Sequence, residues 1–281
     1  MVSVCITAYN IDKYLVECVE SILIQETNFN YEIVVGEDFS SDNTIEILKS
    51  YESRFPNIFR IIYNEKNIGM MPNFIKTIEA SNGKYVALMD GDDVWLDKYK
   101  LQKQIDFLEE NQDYSLCFHD SVISDSKLNP IVNYSHRYPS RYHTYKDGFL
   151  IENIVSWRGI LGATSSIVFV KKFKRFPDWV KDLYGLEPMI YHLLIEYGKY
   201  HYLPETMSAY RVHNNSTDMS FTKISKAQRD IKDHYIYCRY YRPKFINYYY
   251  RKIIFDRAYL VFQYFKSFDI KNIIMNSLYY F

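Results

Sequence analysis

Three aspartates fall within four positions in "YVALMDGDDVW", residues 85–95: Asp90, Asp92 and Asp93. They follow an apolar run built for burial. Like charges this close repel, and each raises the pKa of its neighbours. A bound cation would offset that repulsion. Two carboxylates one residue apart at a strand end can face one pocket, with Gly91 allowing a sharp turn between them. Mg2+ and Mn2+ prefer oxygen ligands and are commonly held by one or two carboxylates plus substrate phosphates. The same string also reads as a solvated acidic turn that caps the following helix. It opens like an EF-hand loop, but the twelfth position from Asp90 is Leu101 and not Glu,.

Further polar groups stand at comparable places. Glu37 and Asp38 in "VVGEDFSSDNT" again follow an apolar strand. A carboxylate there can accept hydrogen bonds from a base N–H or a ribose hydroxyl, or it can cap the next helix. Glu187 in "YGLEPMIYHLLIEYGK" opens a helix. There it either gains from the helix dipole or acts as a general base toward an acceptor hydroxyl. In "YRVHNN", Arg211 can clamp a phosphate and His213 can ligate a metal or bond to a phosphate; either can equally be a structural partner. The turn Thr7-Ala8-Tyr9-Asn10 has no glycine, and the chain has no P-loop. Both absences count against a dinucleotide dehydrogenase and a P-loop kinase.

The elements that must position these groups alternate. Apolar β-rich runs at 2–7, 31–38, 59–64 and 83–90 read as strands,. Between the first two, Ile11, Tyr14, Leu15, Cys18, Val19, Ile22 and Leu23 repeat with the period of an amphipathic helix,. Ser40, Ser41 or Asp42 can cap a helix through about Tyr51. Further helices are expected around 72–81, with Pro72 in the first turn, and over 97–110,. This alternation argues for a mostly parallel sheet covered on both faces. In such sheets ligands bind outside the carboxyl ends of the strands, where the acidic clusters fall. Beyond residue 114 the pattern is less regular. "SLCFHDSVI" and "SSIVFV" read as strands around a long polar, aromatic loop (124–148), 186–197 as a helix, and "KYHYLPE" as a short segment.

Composition sets the outer limits. With 48% hydrophobic and 24% charged residues in 281, the chain can bury a sizeable core,. No run of 18 apolar residues appears, so a spanning helix is not expected. "MVSVCITAYN" lacks a basic n-region, so no signal peptide is expected. Four cysteines without short spacing argue against a zinc site or a disulfide framework and fit a reducing cytoplasm,. The net charge of zero hides a split. Residues 222–281 carry 12 Lys/Arg against 4 Asp/Glu, with 11 Tyr and 6 Phe. Two regions are therefore expected, 1–221 and a basic, aromatic-rich helical extension, 222–281. The extension either packs as a helical hairpin on the body or meets a membrane surface.

Taken in order, "VSVCITAYN", "ECVESILIQ", "EIVVGEDFSSDNT", "NEKNIGMMPNF", "GKYVALMDGDDVW", "KLQKQIDFLE" and "LPETMSAYRVH" resemble the family 2 glycosyltransferases of the GT-A fold. The resemblance covers roughly residues 1–215. It implies an α/β fold with a Rossmann-like nucleotide-binding half and a nucleotide-sugar donor, a UDP-sugar, at the strand ends. It also implies Mn2+ or Mg2+ and inverting transfer of a hexosyl or N-acetylhexosaminyl group to a glycan or lipid-linked hydroxyl, in cell-surface polysaccharide synthesis. Thr7 and Tyr9 match the donor-side turn, and Asp38 the position that reads the base. Asp90 and Asp92 match the Asp-x-Asp pair, with Asp92 the direct metal ligand and Asp90 nearer the ribose or a metal water. Glu187 matches the catalytic base, usually Asp. The family's frequent Ala-Arg-Asn segment is represented only by "MMPNF", which leaves positive charge at the diphosphate to the metal and to Arg211. No nucleic-acid partner is expected; the location expected is cytoplasmic, with peripheral contact at the inner membrane face through 222–281. The alternatives are a catalytically inactive sugar-nucleotide-binding subunit and a sugar nucleotidyltransferase; against the latter, the expected N-terminal glycine-rich signature is absent from "TAYNIDKYL".

Overall fold

The computed structural model describes residues 1–137, 161–213, 222–240 and 246–266. Residues 138–148 of the expected loop and 267–281 of the expected helical tail lie outside the described residues. The chain divides into two compact units, residues 1–176 with 190–212, and residues 177–189 with 213–281.

The first unit opens with strand–helix alternation: β1 (Val2–Ala8), α1 (Asp12–Leu23), β2 (Tyr31–Glu37), α2 (Thr44–Arg54), β3 (Phe59–Tyr63), α3 (Met70–Ala80) and β4 (Tyr85–Asp90). Then follow β5 (Val94–Trp95), α4 (Lys100–Glu110), β6 (Tyr114–Ser124), β7 (Pro130–Asn133), the single turn α5 (Tyr134–Arg137), β8 (Val168–Val170) and β9 (Lys199–Arg211). The sheet order is β3-β2-β1-β4-β8-β6-β9-β5, with β7 paired to β6. The β3-β2-β1-β4 stretch is wholly parallel. Beyond β4 the sheet becomes mixed, because β8 runs antiparallel to both β4 and β6 while β9 is parallel to β6.

Burial follows the sequence pattern. Leu15, Cys18, Val19 and Ile22 of α1 pack with Val4, Ile6, Val35, Ala87 and Met89 of the strands. Strands buried on both faces read as continuous apolar runs, as β1, β2 and β4 do. Gly36 lets α3 close on β2: a Cβ there would sit 2.0 Å from Thr77 Oγ1 and 2.5 Å from Asn73 Oδ1.

Strand β9 is much longer than the short "KYHYLPE" segment expected. Pro204, which has no N–H to give a ladder, lies inside it,. The strand bulges there, since Leu203 pairs with His119 and Thr206 with Asp120, and it resumes to Arg211,.

The second unit is helical. It contains a 3₁₀ turn at Asp178–Asp182, the first turn of α6 (Leu186–Leu194), α7 (Lys223–Tyr240) and α8 (Ile246–Lys266). Ala227 and Ile231 of α7 pack with Ile253 and Leu260 of α8. Residues 177–189 join this unit through Trp179, which stacks on Tyr240 and meets Tyr237 edge-on. The expected break near 221 could not foresee that segment, whose partners are distant in sequence.

Candidate active site

Parallel pairing brings the chemistry-bearing turns to one edge. Thr7, near the end of β1, is the register partner of Gly36 on β2 and of Asp90 on β4. The turns after β1, β2 and β4 therefore leave the sheet side by side.

The β4 turn is closed by the Asp93 N–H, which donates to the Asp90 carbonyl at 3.0 Å. Gly91 meets a need for space in this turn and has no left-handed φ. A Cβ on it would lie 2.2 Å from Ile11 Cδ1 and 3.2 Å from the Thr7 carbonyl. Asp90 and Asp92 are half-buried, whereas Asp93 is fully buried. Burial pushes the Asp93 carboxyl well up, and the charges of Asp92 and Asp90 add to that. Its Oδ1 accepts the backbone N–H of Arg211 at 2.9 Å, a role the sequence left open.

Arg211 is placed differently from the expected donor clamp. Its side chain is 2% exposed. Nε donates to the Asp92 carbonyl at 2.7 Å, one terminal nitrogen to the Ser126 carbonyl at 2.9 Å, and the other to Glu17 Oε2 at 2.6 Å. The guanidinium also covers the Tyr14 ring at 4.7 Å. A fork engaged in this way holds the turn from beneath against α1 and β9.

Asp38 is likewise turned to the chain itself. Its Oδ1 accepts the Ile68 N–H at 2.8 Å and Asn64 Nδ2 at 3.1 Å, and its Oδ2 accepts the Gly69 N–H at 2.9 Å. It is buried and shapes the entry to α3. Neighbouring Glu37, also buried, accepts the Phe39 and Ser40 N–H groups at 3.1 and 2.8 Å. These two carboxylates organise turns; Asp38 does so at the entry to α3 and not, as the capping alternative held, at the helix that follows it.

The β1 and β2 turns are laced together. The Asn10 N–H donates to Ser40 Oγ at 3.0 Å, and Asn10 Oδ1 accepts the Ser41 N–H at 2.8 Å. Tyr9, at the head of this turn, is 48% exposed. Asn10 and Phe39 both have left-handed φ, +51° and +64°. That region suits Asn but costs a bulky side chain about 1–2 kcal/mol. Phe39 was missed in the sequence; the signal was an aromatic residue set in a run of turn formers.

Glu187 and His213 belong to the second unit. Glu187 stands in the first turn of α6. The chain just before it is pinned by Asp233 of α7, which accepts the Tyr184 N–H at 3.0 Å and the Gly185 N–H at 3.0 Å. His213 follows β9 directly. Among the described residues, no three His, Cys, Asp or Glu side chains form a metal-holding group. Asp90 and Asp92 stand together at the turn after β4. An all-oxygen pair fits a hard divalent cation whose remaining ligands come from substrate phosphates and water.

The family model of glycosyl transferase family 2 matches residues 3–160, more than half of the chain. The chain belongs to that family. An uncharacterized protein of Mycobacterium tuberculosis is 30% identical over 220 residues, covering 75% of this chain and 58% of the relative. The chain therefore spans less than two thirds of that relative's length. S. aureus TarS in complex with UDP-GlcNAc has a TM-score of 0.57 at 15% identity, covering 99% of this chain and 91% of that one. The mannosyltransferase PcManGT from Pyrobaculum calidifontis, in complex with GDP-Man and Mn2+, has a TM-score of 0.63 at 14% identity, with coverages of 92% and 71%. At such identities the likeness is one of fold, and the fold is GT-A.

Proposed function

We propose that this chain transfers a sugar from a nucleotide-sugar donor, a UDP-sugar, to a hydroxyl of a glycan or lipid-linked acceptor, with inversion at the anomeric carbon. The observation that carries this reading is the register of Thr7 with Asp90. It sets the β1 turn beside the acidic turn at the carboxyl edge of a parallel sheet,. Thr7 and Tyr9 face the donor there. Asp92 and Asp90 would hold a divalent cation, with Asp90 nearer the ribose, and Asp93, Arg211 and Asp38 shape the turns. A cation held there would supply Lewis-acid stabilisation of the negative charge that builds on the leaving diphosphate. Glu187 takes the proton of the acceptor hydroxyl as its oxygen attacks from the face opposite the leaving group.

The neighbours in complex with UDP-GlcNAc and with GDP-Man and Mn2+ support a nucleotide-sugar donor and a divalent metal. A thermal-shift screen across UDP-, GDP-, CMP- and dTDP-sugars, with and without Mn2+, tests the reading. Metal-dependent stabilisation by a UDP-sugar is expected. Stabilisation by none of the four would overturn it.

The helical part suits peripheral contact with anionic lipid in cell-surface polysaccharide synthesis. Asp233 and Asp256 are buried, whereas Lys232, Arg239 and Arg251 are exposed alongside Tyr240, Tyr250 and Phe255. On α7 and α8 these exposed basic residues outnumber the exposed acid, Asp230, and are interleaved with aromatic rings,. Among the described residues no helix is long and apolar enough to cross a membrane. Co-sedimentation of the chain with anionic but not neutral vesicles is expected; equal recovery with both would count against lipid contact by charge.

A further inference from the structure

We infer that Phe39 is the flat apolar surface against which the donor's nucleobase stacks; this rests on the nucleotide-sugar reading above and adds a residue to it. Phe39 carries two unfavourable features at once. Its φ is +64°, a region where a bulky L-residue is an outlier, and its ring is 55% exposed,. Glycine would remove both. Among the described residues the ring stacks on no other aromatic side chain and takes no cation. No ring stacking or cation contact accounts for its conformation, yet that conformation is enforced. The buried Glu37 carboxylate accepts the N–H groups of Phe39 and Ser40, and Ser40 is tied in turn to Asn10. Strain that the surroundings over-determine in this way is a mark of functional positions.

Location supplies the ligand chemistry. Phe39 leaves the carboxyl end of β2, adjacent to β1 with its exposed Tyr9. Strand β1 lies between β2 and β4, so Phe39 and the acidic turn are separated by two strand spacings. That is roughly 10 Å, about the reach of a ribose between a diphosphate at Asp90 and Asp92 and its base. An exposed aromatic face at that distance meets a planar heterocycle. Because every base has a π-face, such a contact adds affinity without choosing among bases.

Calorimetric titration of the full chain with UDP, GDP, CDP, dTDP and pyrophosphate, each with Mn2+, tests this in wild type, Phe39→Ala and Phe39→Trp. Phe39→Ala retains a Cβ and removes only an exposed ring, so its melting temperature should stay near that of wild type. Its affinity should fall roughly 5- to 150-fold for every nucleotide that wild type binds. Pyrophosphate affinity should not change, and Phe39→Trp should bind nucleotides within a few-fold of wild type. Equal nucleotide affinity in wild type and Phe39→Ala would overturn the inference and leave the donor reading standing. An equal loss toward pyrophosphate would also overturn it, since the turn and not a base contact would have failed. If wild type bound none of the nucleotides, the donor reading itself would fall.

Discussion

Asp93 accepts the backbone N–H of Arg211 at 2.9 Å, and Arg211 returns its Nε–H to the Asp92 carbonyl at 2.7 Å. The two residues are 118 positions apart in the chain, yet they close one small circuit beneath the acidic turn. Asp93 fixes where β9 ends, and Arg211 fixes how Asp92 is presented. Glu17 and Tyr14 of α1 extend the circuit, one accepting from the guanidinium and the other lying under it. A pair of carboxylates this close needs such support, because its own repulsion favours spreading apart.

Removing the Asp93 carboxylate should therefore destabilise the fold and disorder the site together. Asp93→Ala leaves a buried N–H of Arg211 without its acceptor, a loss of about 1–3 kcal/mol. Asp93→Asn keeps an acceptor oxygen and should cost less. Urea unfolding of both variants checks the order. An alanine variant as stable as wild type would mean that the circuit is not a support.

Arg211→Lys separates a positioning role from a phosphate clamp. Lysine keeps the charge but cannot serve the Asp92 carbonyl, the Ser126 carbonyl and Glu17 together,. A stability loss of about 1–3 kcal/mol is expected from carbonyls left without a donor, the half-exposed Glu17 adding little,. Donor affinity should drop in the same variant. Loss of donor affinity with unchanged unfolding would instead return Arg211 to the diphosphate.

Asp92→Asn and Glu187→Gln should each remove most of the transfer activity, through different parameters. Positioned acid–base catalysis contributes about 10²–10⁴-fold, and Glu187→Gln should lose that in kcat while donor affinity stays near wild type. Asp92→Asn should raise the Mn2+ concentration needed for half-maximal rate. Residual activity of Glu187→Gln within a few-fold of wild type would exclude it as the base.

What the sequence reveals and what it hides divide along physical lines. Strands β1, β2 and β4 and helix α1 show in periodicity because burial alone dictates their residues. The acidic turn shows because three like charges behind a buried strand are costly without a reason. Arg211 and Asp38 could not be assigned from sequence, because their roles depend on partners such as Asp93, Glu17 and Gly69 that only the fold brings near. The long β9 was hidden by Pro204, whose missing N–H is absorbed in a bulge. The 177–189 segment was hidden because Trp179 finds its stacking partner more than fifty residues away.

Gly36→Ala measures how closely α3 must approach the sheet below the site. The new Cβ would overlap Thr77 Oγ1 and Asn73 Oδ1, and Asn73 is held by its own bond to the Gly36 carbonyl at 2.8 Å. Overpacking of this kind costs about 1–3 kcal/mol. Gly36→Ala combined with Thr77→Ala should recover part of it, since Asn73 still intrudes. A single variant with wild-type stability would mean that α3 moves aside freely.

Asp233 gives the pH dependence its sign. Burial pushes its carboxyl up from an ordinary 3.8 to about 6, with nearby Asp230 adding to the rise. The Tyr184 and Gly185 N–H groups and His234 pull the other way without winning. Between pH 4 and 6 the folded chain thus keeps a proton on Asp233 that the unfolded chain has already released. Stability contributed by this group therefore falls as pH rises through that window and levels off above it. The full effect is at most about 3 kcal/mol, at 1.36 kcal/mol for each tenfold change in proton affinity. Asp233→Asn stays neutral throughout, so its unfolding free energy should lack the downward slope that wild type shows from pH 4 to 6. Denaturant unfolding of both proteins across that range is the measurement, and parallel curves would refute the assignment. Because Asp233 pins the two residues before α6, the Asn variant should also lower kcat with little change in donor affinity. That split is expected if the carboxylate acts through the placement of Glu187, whereas a purely structural role would leave kcat of the folded enzyme unchanged.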